Sequence, residues 1–287
     1  MKLATFLHDS EPRVGLVDEA AGRIRPVAGV RDMLDLVERW NEVKGRLRGE
    51  GDGVPLASAR LLAPIPQPRR NIVCVGKNYR EHAREFSHSG FEAGAVKGAE
   101  IDEYPAVFSK MPSCVSAPGA TVDLHRDVTQ AVDYEVELAL VIGKAGRNIA
   151  KADAYGHVFG YTIVNDVTAR DRQRNHKQWF LGKALDGFCP MGPWIATADE
   201  VEPENLEVKA WVNGELRQNA NTRDLIFDIP TLIATISAGM TLVPGDIIAT
   251  GTPAGVGIGF NPPKFLQPGD VVRMSITGLG TLENRFA

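Results

Sequence analysis

The chain has 287 residues, 44% of them apolar and 24% charged, with a formal net charge of −4. That length and apolar content suffice for a large buried core, and the interspersed charges make neither a nucleic acid nor an anionic membrane surface an expected partner. No apolar run reaches the roughly 18 residues that span a bilayer, and MKLATFLHDSEPR turns polar too soon for a signal peptide.

Residues 1–68 read as a small N-terminal α+β domain. KLATFLH and RVGLVDE predict two short strands, joined by a turn at Ser10, Glu11 and Pro12. In RDMLDLVERWNEVKGRL, Met33, Leu34, Val37, Trp40 and Val43 recur at helical spacing and predict one helix. LLAPIPQPRR, with prolines at alternate positions, is stiff and extended and marks the boundary to a second domain over 69–287. Nothing in the first unit carries chemistry, and His8 reads as a surface or packing residue.

The second domain opens with a buried strand at Ile72 to Val75, a turn at Gly76 and a helix YREHAREF, for which Asn78 is a candidate cap. His82 and Glu85, three residues apart on that helix, are neighbours. Such a pair is commonly an ordinary surface contact; in a site, the carboxylate orients the imidazole as a general base. Residues 87–104, rich in Gly, Ala and acidic residues, predict a long loop of the kind that forms lids. YPAVFSKMPS gives a strand that carries Lys110, a candidate anion contact.

EVELALVIG follows. A strand has a side-chain period of two, so Glu135 and Glu137 share one face while Val136 and Leu138 pack on the other. The bland alternative is a solvated face of an antiparallel strand. In a buried setting, two like charges side by side call for a counter-ion, and carboxylate oxygens suit a hard dication such as Mg²⁺ or Mn²⁺. The apolar run from Phe159 to Val164 ends at Asn165 and Asp166, which places a third acidic group at a strand end. Arg170 lies four residues beyond and is able to point back; Arg172, Arg174 and His176 read as surface residues. Lys183, in a loop, suits a substrate carboxylate, with Asp186 as its partner or as a turn residue.

Toward the C-terminus, NLEVKAWVNGELRQNANT predicts a hairpin around Asn213 and Gly214, with the polar run from Gln218 to Thr222 bordering any site. DIPTLIATISAGMTL predicts an apolar helix that ends at Gly239. GDIIATGTPAGVGIGF predicts a buried strand and a glycine-rich loop that matches neither a dinucleotide fingerprint nor a P-loop. Its glycines serve a structural turn, or let backbone N–H groups and Thr252 approach a carboxylate or oxyanion. Cys74, Cys114 and Cys189 are odd in number and widely spaced, as expected of buried thiols in a reducing, cytoplasmic compartment.

Over residues 70–285 the chain resembles the fumarylacetoacetate hydrolase family through seven ordered motifs: VGKNYREHA, FSKMPS, DYEVELALVIGK, GYTIVNDVTARDRQ, GKALDGFCPMGPWI, VNGELRQNANTRDLIF and GDIIATGTPAGVG. The resemblance implies a mainly β, α+β fold, the family's mixed β-roll, assembled as a homodimer. It implies Glu135, Glu137 and Asp166 as ligands of Mg²⁺ or Mn²⁺, with His82, Glu85 and Lys183 catalytic. Arg170, Gln173, Lys110 and Thr252 fall at positions that contact substrate or support the metal. Asn78 and Tyr79 stand where larger members carry a further aspartate, which places the chain in the shorter, three-carboxylate subgroup.

The expected activity is hydrolysis of a C–C bond in a small 2,4-dioxo acid such as an acylpyruvate or fumarylpyruvate. The metal polarises the oxo acid and stabilises an enolate, and a His82–Glu85-activated water attacks. The same family chemistry extends to decarboxylation of oxaloacetate-like acids and to dienoate isomerisation. An alternative of another class is a non-catalytic protein that binds a metal and an oxo acid.

Overall fold

The computed structural model describes residues 1–91 and 102–287. Its largest element is a twelve-stranded sheet. From Val54–Pro55 at one edge it runs through strands Arg23–Pro26, Glu11–Asp18, Lys2–His8, Cys189–Thr197, Val158–Asn165, Val136–Ile142, Ile247–Ala249 and Ile72–Gly76 to Ala106–Lys110. A five-stranded sheet, which includes Glu207–Val212, Val271–Ile276 and Gly280–Phe286, packs against it. The architecture is thus the mainly β, α+β roll expected.

The strand Val136–Ile142 is buried along its whole length between two cores. Val136, Leu138, Leu140 and Ile142 meet the five-stranded sheet through Val208, Met274 and Leu282. Ala139 and Val141 join the opposite core, with Met33, Leu36, Val37 and Ile195. This second core draws on both sequence halves, and Lys2 and Leu3 pair with Ala196 and Ile195. The first 68 residues therefore extend the main sheet and share its core.

Two local expectations are corrected. The segment after Asp32 forms two short helices, Met33–Glu38 and Trp40–Val43, that meet at Arg39. The bend lets Leu36 and Val37 reach the core while Trp40 packs edge-on against Phe159 at 5.1 Å. Asn78 does not cap the helix Arg80–His88, whose N-cap is Tyr79. Its fully buried amide donates to the carbonyls of Phe227 and Thr250, 3.0 and 2.8 Å away, and accepts from the Phe227 N–H at 2.8 Å. It clamps three loops because a buried amide must find all its partners inside.

The hairpin at Asn213 and Gly214 and the helix Ile229–Ser237, capped by Asp228, form where expected. The three cysteines are free and buried. Among the described residues, no helix is long and apolar enough to cross a membrane. Ten residues of the expected lid, 92–101, lie outside the described residues.

Candidate active site and metal centre

Glu137 lies on the strand Val136–Ile142, Glu135 immediately precedes that strand, and Asp166 follows the adjacent antiparallel strand. The Asp166 N–H donates to the Glu135 carbonyl at 2.9 Å, which brings the two strand ends together. Carboxylate oxygens of Glu135, Glu137 and Asp166 lie within 4.8 Å of one another, and all three residues are buried. The solvated-face alternative is therefore excluded: Glu135 is 3% and Glu137 1% exposed.

Buried cations surround the triad. Lys183 Nζ donates to Glu135 Oε2 at 2.7 Å and to Asp166 Oδ2 at 2.6 Å. Arg170 spans Asp133 at 2.9 Å and Glu135 at 2.6 Å, and donates to the Gln173 amide oxygen at 3.2 Å. Lys110 Nζ donates to Asp166 Oδ1 at 2.7 Å, to the Val167 carbonyl and to the Lys183 carbonyl. Burial opposes the charge on Glu135, but Lys183 and Arg170 outweigh it and hold the carboxyl down to about 2. Glu137 differs. Its one bond among the described residues comes from the Gly251 N–H, 2.9 Å away. Burial, and then its neighbours Asp166 and Glu135, push its carboxyl well above the ordinary carboxylate range.

This imbalance is the test of fit for a metal. Asp133, Glu135, Glu137 and Asp166 face Lys110, Arg170 and Lys183, all buried, which leaves one negative charge uncompensated. An isolated buried charge is costly. A dication held by Glu135, Glu137 and Asp166 relieves it, and an all-oxygen donor set suits Mg²⁺ or Mn²⁺.

The glycine-rich loop after Ala249 supplies amides, but to the protein's own carboxylates. Gly251 serves Glu137, Gly255 donates to Glu85 Oε1 at 3.0 Å, and Gly257 donates to Asp133 Oδ1 at 2.6 Å. The Thr252 hydroxyl donates to the Val136 carbonyl at 3.0 Å and accepts from the Gln218 amide at 2.8 Å, so it braces the ligand strand. His82, 4% exposed, places Nδ1 3.1 Å from Glu85 Oε2. With Nδ1–H donating to the Glu85 carboxylate, Nε2 is left as the lone-pair nitrogen.

His82, Glu135, Glu137, Arg170, Gln173, Lys183 and Thr252 line one small cavity, with Phe86, Phe108 and Trp179 as apolar walls. Lys110 does not line it: the side chain is sealed beneath Asp166 at 0% exposure. Nor does Asp186 partner Lys183; it is exposed, and Lys183 turns inward to the triad. His176 and Arg174 are exposed, as expected.

Sequence reasoning assigned no role to Asp133 or Lys77. Asp133 precedes Glu135 by two, so its alternation with the two glutamates was a usable signal. Lys77 lines the cavity beside Gly76, where an added Cβ would lie 2.0 Å from the Trp179 ring.

At Gly259, a Cβ would lie 1.7 Å from Glu85 Oε1. Gly259→Ala should therefore displace Glu85 and lower turnover roughly ten- to hundredfold. Metal affinity, read by calorimetry, should stay unchanged; a parallel loss of metal would contradict the positioning role.

Residues 71–287 match the family model "Fumarylacetoacetate (FAA) hydrolase C-terminal", and residues 1–64 match "Rv2993c-like, N-terminal". An oxaloacetate tautomerase of Bacillus subtilis, YisK, is 51% identical over 91% of this chain and 82% of its own. A fumarylacetoacetate hydrolase of Exiguobacterium antarcticum aligns with a TM-score of 0.85 at 43% identity, covering 100% of this chain and 99% of its own. A maleylpyruvate hydrolase of Sphingobium, solved with manganese(II) and pyruvate, aligns at 0.78 and 34% identity over 100% and 99%. A model match over residues 71–287, joined to a triad of buried carboxylates, places this chain in the fumarylacetoacetate hydrolase family.

Proposed function

We propose that this protein is a divalent-metal-dependent enzyme that interconverts the keto and enol forms of a small 2-oxo acid of the oxaloacetate type. The observation that carries the reading is that His82, held by Glu85, faces one cavity together with Glu135 and Glu137 of the carboxylate triad. Identity of 51% with an oxaloacetate tautomerase favours tautomerisation over the hydrolysis expected from the motifs alone. Bound by Glu135, Glu137 and Asp166, Mg²⁺ or Mn²⁺ supplies Lewis-acid polarisation of a carbonyl. His82 removes a proton from the carbon beside that carbonyl, and Glu85 stabilises the imidazolium formed. Lys183 and Arg170 offset negative charge gathering on the substrate, and His82 returns the proton to the enolate oxygen. The walls Phe86, Phe108 and Trp179 limit access of bulk water.

Hydrolysis of an acylpyruvate is the second reading. The same His82 then takes its proton from water, and the maleylpyruvate hydrolase, 34% identical, supports it. The experiment follows the ultraviolet absorbance of enol oxaloacetate with the Mg²⁺-loaded protein, and assays pyruvate release from acylpyruvates in parallel. Tautomerisation predicts faster decay of the enol with total oxaloacetate conserved. Stoichiometric pyruvate from acylpyruvates supports hydrolysis, and pyruvate from oxaloacetate indicates decarboxylation. Full activity in chelator, or none with any substrate, contradicts the metal-dependent enzyme.

The family assignment also leads us to propose a homodimer. Tyr104, Val107 and Met111, exposed at 69%, 46% and 43%, lie on or beside the strand Ala106–Lys110 that ends the large sheet. Sedimentation at a dimer's mass is the expected result, and a monomer at micromolar concentration contradicts it.

A further inference from the structure

Among the described residues, three cations line the cavity: Lys77, Arg170 and Lys183. Arg170 is committed to Asp133 and Glu135, and Lys183 to Glu135 and Asp166. Lys77 pairs instead with a carboxylate outside this cage, Asp102, at 2.6 Å. The Lys77 side chain is 8% exposed and that of Asp102 22%, so a buried ammonium has its partner at the wetter edge. Exchange of that carboxylate for one on a ligand keeps the lysine paired and its charge compensated. The backbone at Lys77 is left-handed, with φ at +53°, a conformation that long L side chains seldom adopt and that persists where surrounding structure holds it. The turn comes directly after Gly76, the close-approach position under Trp179, and sets Lys77 in the cavity wall.

The charge balance limits what the cage itself can accept. With a dication, Asp133, Glu135, Glu137 and Asp166 set against Lys110, Arg170 and Lys183 leave a single positive charge. One substrate carboxylate neutralises it, and a second has no counter-charge within the cage. We propose that Lys77 anchors a second substrate carboxylate, which makes the site selective for 2-oxo dicarboxylates over 2-oxo monocarboxylates. This inference rests on the oxo-acid reading above.

The test is calorimetric binding to the Mg²⁺-loaded protein, with pyruvate as the monocarboxylate and with 2-oxomalonate and 2-oxoglutarate as dicarboxylates that span two lengths. Lys77→Asn removes the charge but tolerates the left-handed backbone. It should weaken the better dicarboxylate about tenfold or more, the scale of one charge-assisted hydrogen bond, and leave pyruvate within about twofold. Lys77→Arg should restore the dicarboxylate preference. Pyruvate binding with an unchanged ratio in Lys77→Asn overturns the assignment of Lys77 alone, as does equal loss of both ligands. Failure of the wild-type protein to bind any of the three overturns the oxo-acid reading, and the Lys77 anchor with it.

Discussion

Glu137→Gln should abolish metal binding and, in the same stroke, stabilise the metal-free protein. Glu137 is 1% exposed, its neighbours Glu135 and Asp166 carry the same sign, and its one bond among the described residues comes from a backbone N–H. Lys183 and Arg170 are already taken by Glu135, Asp166 and Asp133. Without the metal, this carboxyl must either stay charged with no cation of its own or take up a proton, and an amide of the same shape avoids that cost, which returns about 1–3 kcal/mol. For a chain of this size, that raises the melting temperature by about 2–4 °C per kcal/mol. Mg²⁺ or Mn²⁺ should then raise the melting temperature of the wild type and leave the variant's unmoved. Metal affinity should fall by more than the 10–100-fold that loss of an outer partner costs. A variant that melts below the metal-free wild type would show that Glu137 is already compensated.

His82→Ala should have the opposite signature, a large loss of turnover with the metal retained. His82 is held by Glu85 and borders the cavity, but among the described residues it belongs to no group of candidate ligands. A positioned general base contributes about 10²–10⁴-fold, so kcat should fall within that range. Metal affinity and pyruvate binding, measured by calorimetry, should remain within a few-fold. Joint loss of metal and turnover would assign His82 to the cage instead.

The carboxylate triad was legible because its signal is local. Alternation on one strand fixes the face shared by Glu135 and Glu137, and Asp166 ends a strand that pairs with it in antiparallel register. The His82–Glu85 pair was legible for the same reason, at three residues along one helix. What the sequence withheld depends on contacts between distant segments. The Gly255 N–H reaches Glu85 across 170 positions, and Asn78 reaches Phe227 across 149. Lys110 shows the limit of a face argument. It shares the parity of Phe108, which lines the cavity, yet lies deeper, beneath Asp166. Parity gives direction but not depth, and the cavity cation that stands outside the carboxylate cage is Lys77, whose left-handed backbone no periodicity announces.

The account turns on a dication held by three carboxylates, and anomalous diffraction from a crystal soaked in manganese tests it most directly. One strong peak in contact with oxygens of Glu135, Glu137 and Asp166, absent in Glu137→Gln, is the predicted result. A wild-type crystal with no peak there, and with Lys183 still bridging Glu135 and Asp166, would contradict it.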